Sequence, residues 1–268
     1  MAFDRKRFPN RPSGRLLWLF AVLVLLLALS YVLSEQARQD VAEPSPGSPT
    51  EQTPSLVAPG DLDADYYEVL GAAVKEHDPA PGEVSYCPLD DLGRAVCAYG
   101  SLTPQLRQEA QDRGRQDINV DPAGWPGSNP QVKIPALEGV EGSKAYSGWL
   151  WNRSHLLADS LGGGAVLENL VTGTRTQNVG SAQTGGQYSG GMAFTELLAR
   201  QYLDDPANAE CPLYYAAAPV YTGDELVPRS VLVDVASCDG SLDLRVEVSN
   251  TAAGFAIDYA DGSHAKEG

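Results

Sequence analysis

Apolar positions follow two regimes along this chain. Residues 16–33, LLWLFAVLVLLLALSYVL, form one unbroken apolar run in which only Ser30 and Tyr31 are mildly polar. From Tyr86 to about Asp261 the pattern breaks into short alternations and one helical stripe. Met192–Leu203 predicts a helix, with Phe194, Leu197, Leu198, Tyr202 and Leu203 on or near one face. Strands are expected at Leu213–Tyr221, Val231–Ala236, Leu242–Val248 and Phe255–Tyr259, with Asp239-Gly240 as a tight turn between the middle two. Upstream, Leu92–Tyr99 reads as a strand ending at Gly100, and Ser101–Gln111 as a short helix. Asp121–Pro130 reads as a turn-rich loop around Trp125, and Ala145–Asn152 as a strand delivering Arg153 and His155. This mixture predicts an α+β fold with an antiparallel or mixed sheet and helices.

The apolar run sets the organisation before the globular part. At about 1.5 Å per residue it is just long enough to cross a hydrocarbon core of about 30 Å. Arg5, Lys6, Arg7, Arg11 and Arg15 precede it against a single Asp4. The positive-inside rule then expects residues 1–15 to be a cytoplasmic basic tail and 16–34 a transmembrane signal anchor. A cleaved signal peptide is the rival reading, but the apolar run is long for one and Leu33-Ser34-Glu35-Gln36-Ala37 is a poor cleavage site. Residues 35–60, rich in proline, read as a disordered linker. In 61–85, Tyr66, Tyr67, Leu70 and Val74 could share one face of a short helix. Residues 86–262 are the expected globular domain, long enough for one good core.

Four cysteines, Cys87, Cys97, Cys211 and Cys238, follow the apolar run. An even count in an exported segment predicts two disulfides. Three pairings are open, and loop closure favours Cys87–Cys97 with Cys211–Cys238. A zinc site is disfavoured, since no CxxC spacing is present.

Charge complicates any role with nucleic acid. The formal net charge is −16, and residues 86–262 hold 11 basic against 22 acidic side chains. A phosphate binder usually presents a basic surface. Residues 142–195 depart from this acidity, with Lys144, Arg153 and Arg175 against Asp159 and Glu168.

That near-neutral segment holds the candidate chemistry. It contains His155, one of only three histidines beside His77 and His264, in the run Trp151-Asn152-Arg153-Ser154-His155. Asn169 and Asn178 follow at defined distances. Hydrolysis of a phosphodiester needs a base for water, a cation for developing charge and a group that orients phosphate. Histidine suits the first near neutral pH. An asparagine amide oxygen is a hard neutral ligand for Mg²⁺, and arginine supplies a planar donor fork for phosphate.

Asn152-Arg153-Ser154-His155-Leu156-Leu157 resembles the Asp-Arg-Gly-His motif of the DNA/RNA non-specific endonucleases, the ββα-metal or His-Me finger nucleases. The closer likeness is to the streptococcal-type secreted and membrane-anchored DNases. Their catalytic histidine is followed by an Asn-Ile/Leu pair and, nine residues on, by a metal-binding Asn. Asn169-Leu170 and Asn178 match that order. The run from Gln187 to Glu196, Leu89–Arg94, Pro122–Trp125, Leu213-Tyr214-Tyr215 and Glu225–Pro228 extend the likeness over roughly residues 86–260.

The resemblance implies a ββα finger inside the fold and a sequence-non-specific endonuclease outside the cell, cutting DNA and, as a second substrate, RNA. It implies His155 as general base, Asn178 as direct ligand of a single Mg²⁺ (with Mn²⁺ as substitute), and Asn169 as an orienting group. It further implies Glu196 beside the metal and Arg153 on the phosphate. Arg175, Arg115 and Trp125 are candidate nucleic-acid contacts. A surface position or core packing is the ordinary fate of such residues; core packing is expected for Trp149 or Trp151, whichever faces inward. His77 and His264 are expected to be solvated, and Gly162-Gly163-Gly164 to be a turn. Asn152 stands where the motif has Asp, and Ser154 where it often has Gly. The first departure and the acidity motivate two rival readings, a non-catalytic cell-surface binding module on a decayed scaffold and a secreted nuclease toxin with a cognate inhibitor. A partner in DNA uptake is left open.

Overall fold

The computed structural model describes residues 65–267. The apolar run, its basic flank and the proline-rich stretch lie outside these residues. Among the described residues no helix is long and apolar enough to cross a membrane.

An antiparallel sheet of six strands forms the floor of the domain. Its strands are β1 (Tyr67–Gly71), β2 (Val84–Tyr86), β3 (Ala98–Leu102), β10 (Leu213–Val220), β11 (Ser230–Ser237) and β12 (Asp243–Ser249), in the order β1-β12-β11-β10-β3-β2. Strict alternation sends one side of each central strand inward. Val231, Val233 and Val235 of β11 face Val248, Val246 and Leu244 of β12 in register, and all are buried. On the other side of β11, Leu213, Tyr215 and Ala217 of β10 continue the same apolar layer.

Helix α3 (Met192–Asp204) closes that layer through Met192, Ala199, Tyr202 and Leu203. Leu156, Leu157 and Leu161, within six residues after His155, join the same core. Each such leucine is fully buried, which typically contributes about 1.5–3 kcal/mol. The segment after His155 is thus nailed to the sheet by hydrophobic burial. Helix α1 (Pro104–Arg113) is capped by Thr103, whose side chain accepts from Leu106 N, and carries proline in its first turn. A smaller cluster of Ile134, Leu150, Trp151, Val227 and Ala252 lies apart from the main core. Both expected disulfides are present, Cys87–Cys97 and Cys211–Cys238, with Cα separations of 5.1 and 5.5 Å.

Several expectations need correction. Tyr66–Val74 is not a helix; β1 pairs along the edge of β12, and its alternating exposure fits a strand with one covered side. The strand expected at Leu92–Tyr99 lies later, at Ala98–Leu102, and runs through Gly100. A side chain there would press on the Glu83 carbonyl, so glycine permits the close approach of the neighbouring chain. The single strand expected over Ala145–Asn152 is two, β5 (Tyr146–Trp149) and β6 (Trp151–His155). They part at Leu150, whose N–H donates to Pro130 O, and they pair with different partners.

Neither His77 nor His264 is simply solvated. His77 stacks on Tyr99 with ring centroids 3.8 Å apart, and its Nε2 lies 3.8 Å from Cys97 Sγ. Both neighbouring sulfurs are already bonded to each other, which takes them out of metal ligation. His264 stands edge-on to Trp151, with its Nδ1 buried.

Candidate active site

Strands β6 and β7 (Leu170–Thr174) pair antiparallel, with Trp151 opposite Thr174 and His155 opposite Leu170. β7 then enters the short helix α2 (Arg175–Val179) without a connecting loop. Thr174 makes this abrupt change possible. Its hydroxyl accepts from Gln177 N at 3.0 Å and so satisfies a donor that the helix start leaves free. Gly180, with φ of 65°, ends the helix in a conformation that a side chain would strain. The result is a ββα unit with His155 at the end of one strand and Asn178 on the helix.

A cavity of about 430 Å³ is lined by His155, Asn178 and Glu196, together with Arg107, Arg115 and Asp159. The structure thus brings together three residues spaced 23 and 18 positions apart in the chain. Each comes from a separate element, β6, α2 and α3.

His155 Nε2 is buried and has no hydrogen-bond partner. Burial holds the imidazole below its ordinary pKa; Arg115 adds to the effect and Asp159 opposes it. A neutral ring with a free nitrogen is a competent base. Asn178 Oδ1 accepts from the Ser154 hydroxyl at 3.0 Å, which fixes the amide plane while leaving the oxygen a second lone pair. Glu196 is half-buried. Loss of water raises its carboxyl above the usual range, and Arg200, 3.4 Å away, partly offsets this. A carboxylate and an amide oxygen are the donor types that hard divalent cations prefer. These donor types, beside an unpartnered imidazole nitrogen, are chemically compatible with a hard divalent ion.

Asn169 takes a different place. It is fully buried and does not line the cavity. Its Oδ1 accepts from Leu157 N, and its Nδ2 donates to Leu157 O and Gly164 O, all at 2.9 Å. It therefore braces the loop that follows His155 and does not face the reacting atoms. Gln116 holds the same loop from outside, bonding Asp159 and Gly163 O.

Arg153 points toward a neighbouring groove that it lines with Trp125 and Asn152. Its guanidinium lies 4.3 Å from the Trp125 ring centroid and donates from Nε to Asp121 Oδ1 at 2.8 Å. That ion pair is largely exposed, and such pairs contribute about 0–1 kcal/mol, so a phosphate can compete for the arginine. Arg115 lines both openings. Arg175 lines neither; its guanidinium sits between the Tyr146 and Tyr188 rings, 4.9 and 4.5 Å from their centroids. Trp151 is in the core and Trp149 is not.

Two supporting residues had no legible signal. Ser154 stood out only as a departure from the motif, yet it bonds Asn178. Asp65 is buried and accepts from Ser181 N and Oγ and from Ala182 N, 116 and 117 positions away. It ties the start of the described chain to the segment joining α2 and α3.

Comparison with known proteins fits this geometry. The family model described as DNA/RNA non-specific endonuclease matches residues 74–238. A deoxyribonuclease of Streptococcus dysgalactiae subsp. equisimilis is 32% identical over 215 residues, covering 72% of this chain. The chain spans 63% of the length of that relative. Among solved structures, Sda1 nuclease with a bound zinc ion is 31% identical, with a TM-score of 0.66 over 76% of this chain and 97% of that one. NucA of Streptococcus agalactiae with magnesium bound is 26% identical, with a TM-score of 0.53 over 69% of this chain and 80% of that one.

Proposed function

The chain belongs to the DNA/RNA non-specific endonuclease family, and from that premise we propose that it hydrolyses phosphodiester bonds of DNA, with RNA as a second substrate, without sequence preference. The observation that carries the reading is the shared cavity of His155, Asn178 and Glu196, with an unpartnered imidazole nitrogen at its wall. His155 takes the proton of the attacking water at Nε2. Burial favours this role, because it keeps the ring neutral where an ordinary histidine begins to protonate. Arg115 faces the place where negative charge grows, and Arg153 exchanges Asp121 for a substrate phosphate.

Asn178 would hold a divalent ion through Oδ1, and Glu196 would lie beside it, directly or through water. When bound, the ion offsets charge on the phosphate and leaving oxygen. Mg²⁺ suits these hard oxygen donors, with Mn²⁺ as substitute. NucA is a relative with magnesium bound, and Sda1 one with zinc.

The decayed-scaffold reading loses its main motive. Asn152 lines the neighbouring groove and not the cavity that holds His155. Its missing charge leaves the base and the metal ligand in place. We assign the domain to the outside of the cell, anchored by residues 16–34; the two disulfides and the basic flank of the apolar run support this.

Incubation of the full chain with plasmid DNA tests the proposal. Nicking and linearisation with Mg²⁺, none with EDTA, and none by Asn178→Ala are expected. Absence of cutting by the wild type would overturn it.

A further inference from the structure

The groove beside the catalytic cavity has a volume of about 690 Å³ and meets that cavity at Arg115 and Asn178. Its composition is unusual for a phosphate channel. Trp149 and Trp125 line it, with the buried Trp151 behind them, and Trp149 is 52% exposed. A large indole left in water on a paired strand costs apolar exposure that core packing would have removed. Trp149 is held there by β5, which pairs with β4 (Gln131–Ile134) so that Trp149 stands opposite Gln131. Trp125 forms a second aromatic wall, already covered on one side by Arg153.

Charge in the groove is close to balanced. Arg115 and Arg153 face Asp117, and Arg153 is also held by Asp121. Attraction to a polyanion grows with the number of phosphates that cations neutralise. Two arginines in an acidic domain supply little of it. Stacking on an aromatic ring is the other large source of affinity for nucleic acid, and it needs a base whose face is free. In a duplex those faces are covered by neighbouring base pairs.

We infer that this groove is a stacking subsite for an unpaired nucleobase, with the exposed Trp149 indole as its platform, so that the enzyme takes single-stranded or locally opened strands in preference to closed duplex. The choice of a nucleobase as the occupant rests on the nuclease reading above. The strand would run from the groove past Asn178, which belongs to both openings, to His155.

Binding without cleavage tests this apart from catalysis. The full chain, in EDTA, is titrated with a twelve-residue oligothymidylate and with a twelve-base-pair duplex while tryptophan fluorescence is followed. Tighter binding of the single strand with strong quenching is expected. Trp149→Ala should weaken oligothymidylate binding about tenfold, Trp149→Phe should restore most of it, and the duplex affinity should move less than twofold. Unchanged oligothymidylate binding in Trp149→Ala overturns the inference. So does an equal loss for single strand and duplex, or a change of sedimentation that places Trp149 at a contact between copies. Binding through Trp149 by a wild type that cuts no DNA with Mg²⁺ would instead overturn the catalytic proposal and leave the subsite standing.

Discussion

The Ser154 hydroxyl donates to Asn178 Oδ1 at 3.0 Å, joining the strand that carries His155 to the helix that carries the proposed metal ligand. Ser154 is fully buried, so this bond is shielded from water. It fixes the amide plane and leaves the oxygen one lone pair for the proposed cation. Ser154→Ala removes the orienting bond and keeps the ligand. The Mg²⁺ concentration for half-maximal cleavage should rise about tenfold, with the rate at saturating Mg²⁺ much less affected. Metal titration of plasmid cleavage reads both quantities; an unchanged midpoint would show that the bond positions nothing.

His155 and Glu196 set the acid limb of the pH profile. Burial lowers the His155 pKa, so the neutral base should persist below the ordinary histidine value of about 6.5. Activity is then lost as pH falls through the lowered value. Enclosure raises the Glu196 carboxyl, which brings a second protonation closer on the same side. A plot of log kcat/KM against pH should show a midpoint below about 6.5, steepening at lower pH. A midpoint above that value would contradict a desolvated base.

Asn169 should act on the fold before the chemistry. Its two bonds to Leu157 are buried and the one to Gly164 partly so, and Asn169→Ala leaves their backbone partners without replacements. A loss of about 2–4 kcal/mol in urea unfolding is expected. The residual activity of the folded fraction, measured at low temperature, should be reduced less than in His155→Ala. Wild-type stability with abolished activity would instead place Asn169 among the reacting groups.

Much of this arrangement was legible where local pattern governs structure. The helix expected at Met192–Leu203 matches α3 to within a residue, and the alternating valines define β11 and β12. The family resemblance named His155, Asn178 and Glu196 together, and they line one cavity. The misread segments depend on distant partners. Tyr67–Gly71 becomes a strand only because β12 offers an open edge. Arg175 is taken up by Tyr146 and Tyr188, and its pattern shows neither. Asp65 has no local signal at all, since every donor to its carboxylate lies in the segment before α3.

Chemical rescue tests the role of His155 most directly. His155→Ala should lose about 10²- to 10⁴-fold in Mg²⁺-dependent plasmid cleavage while keeping the wild-type circular dichroism. Added imidazole should restore part of the rate, with the pH dependence of free imidazole in place of that of the buried ring. Undiminished cleavage by His155→Ala, or a folded variant that imidazole does not rescue at any concentration, would contradict the assignment of His155 as the base.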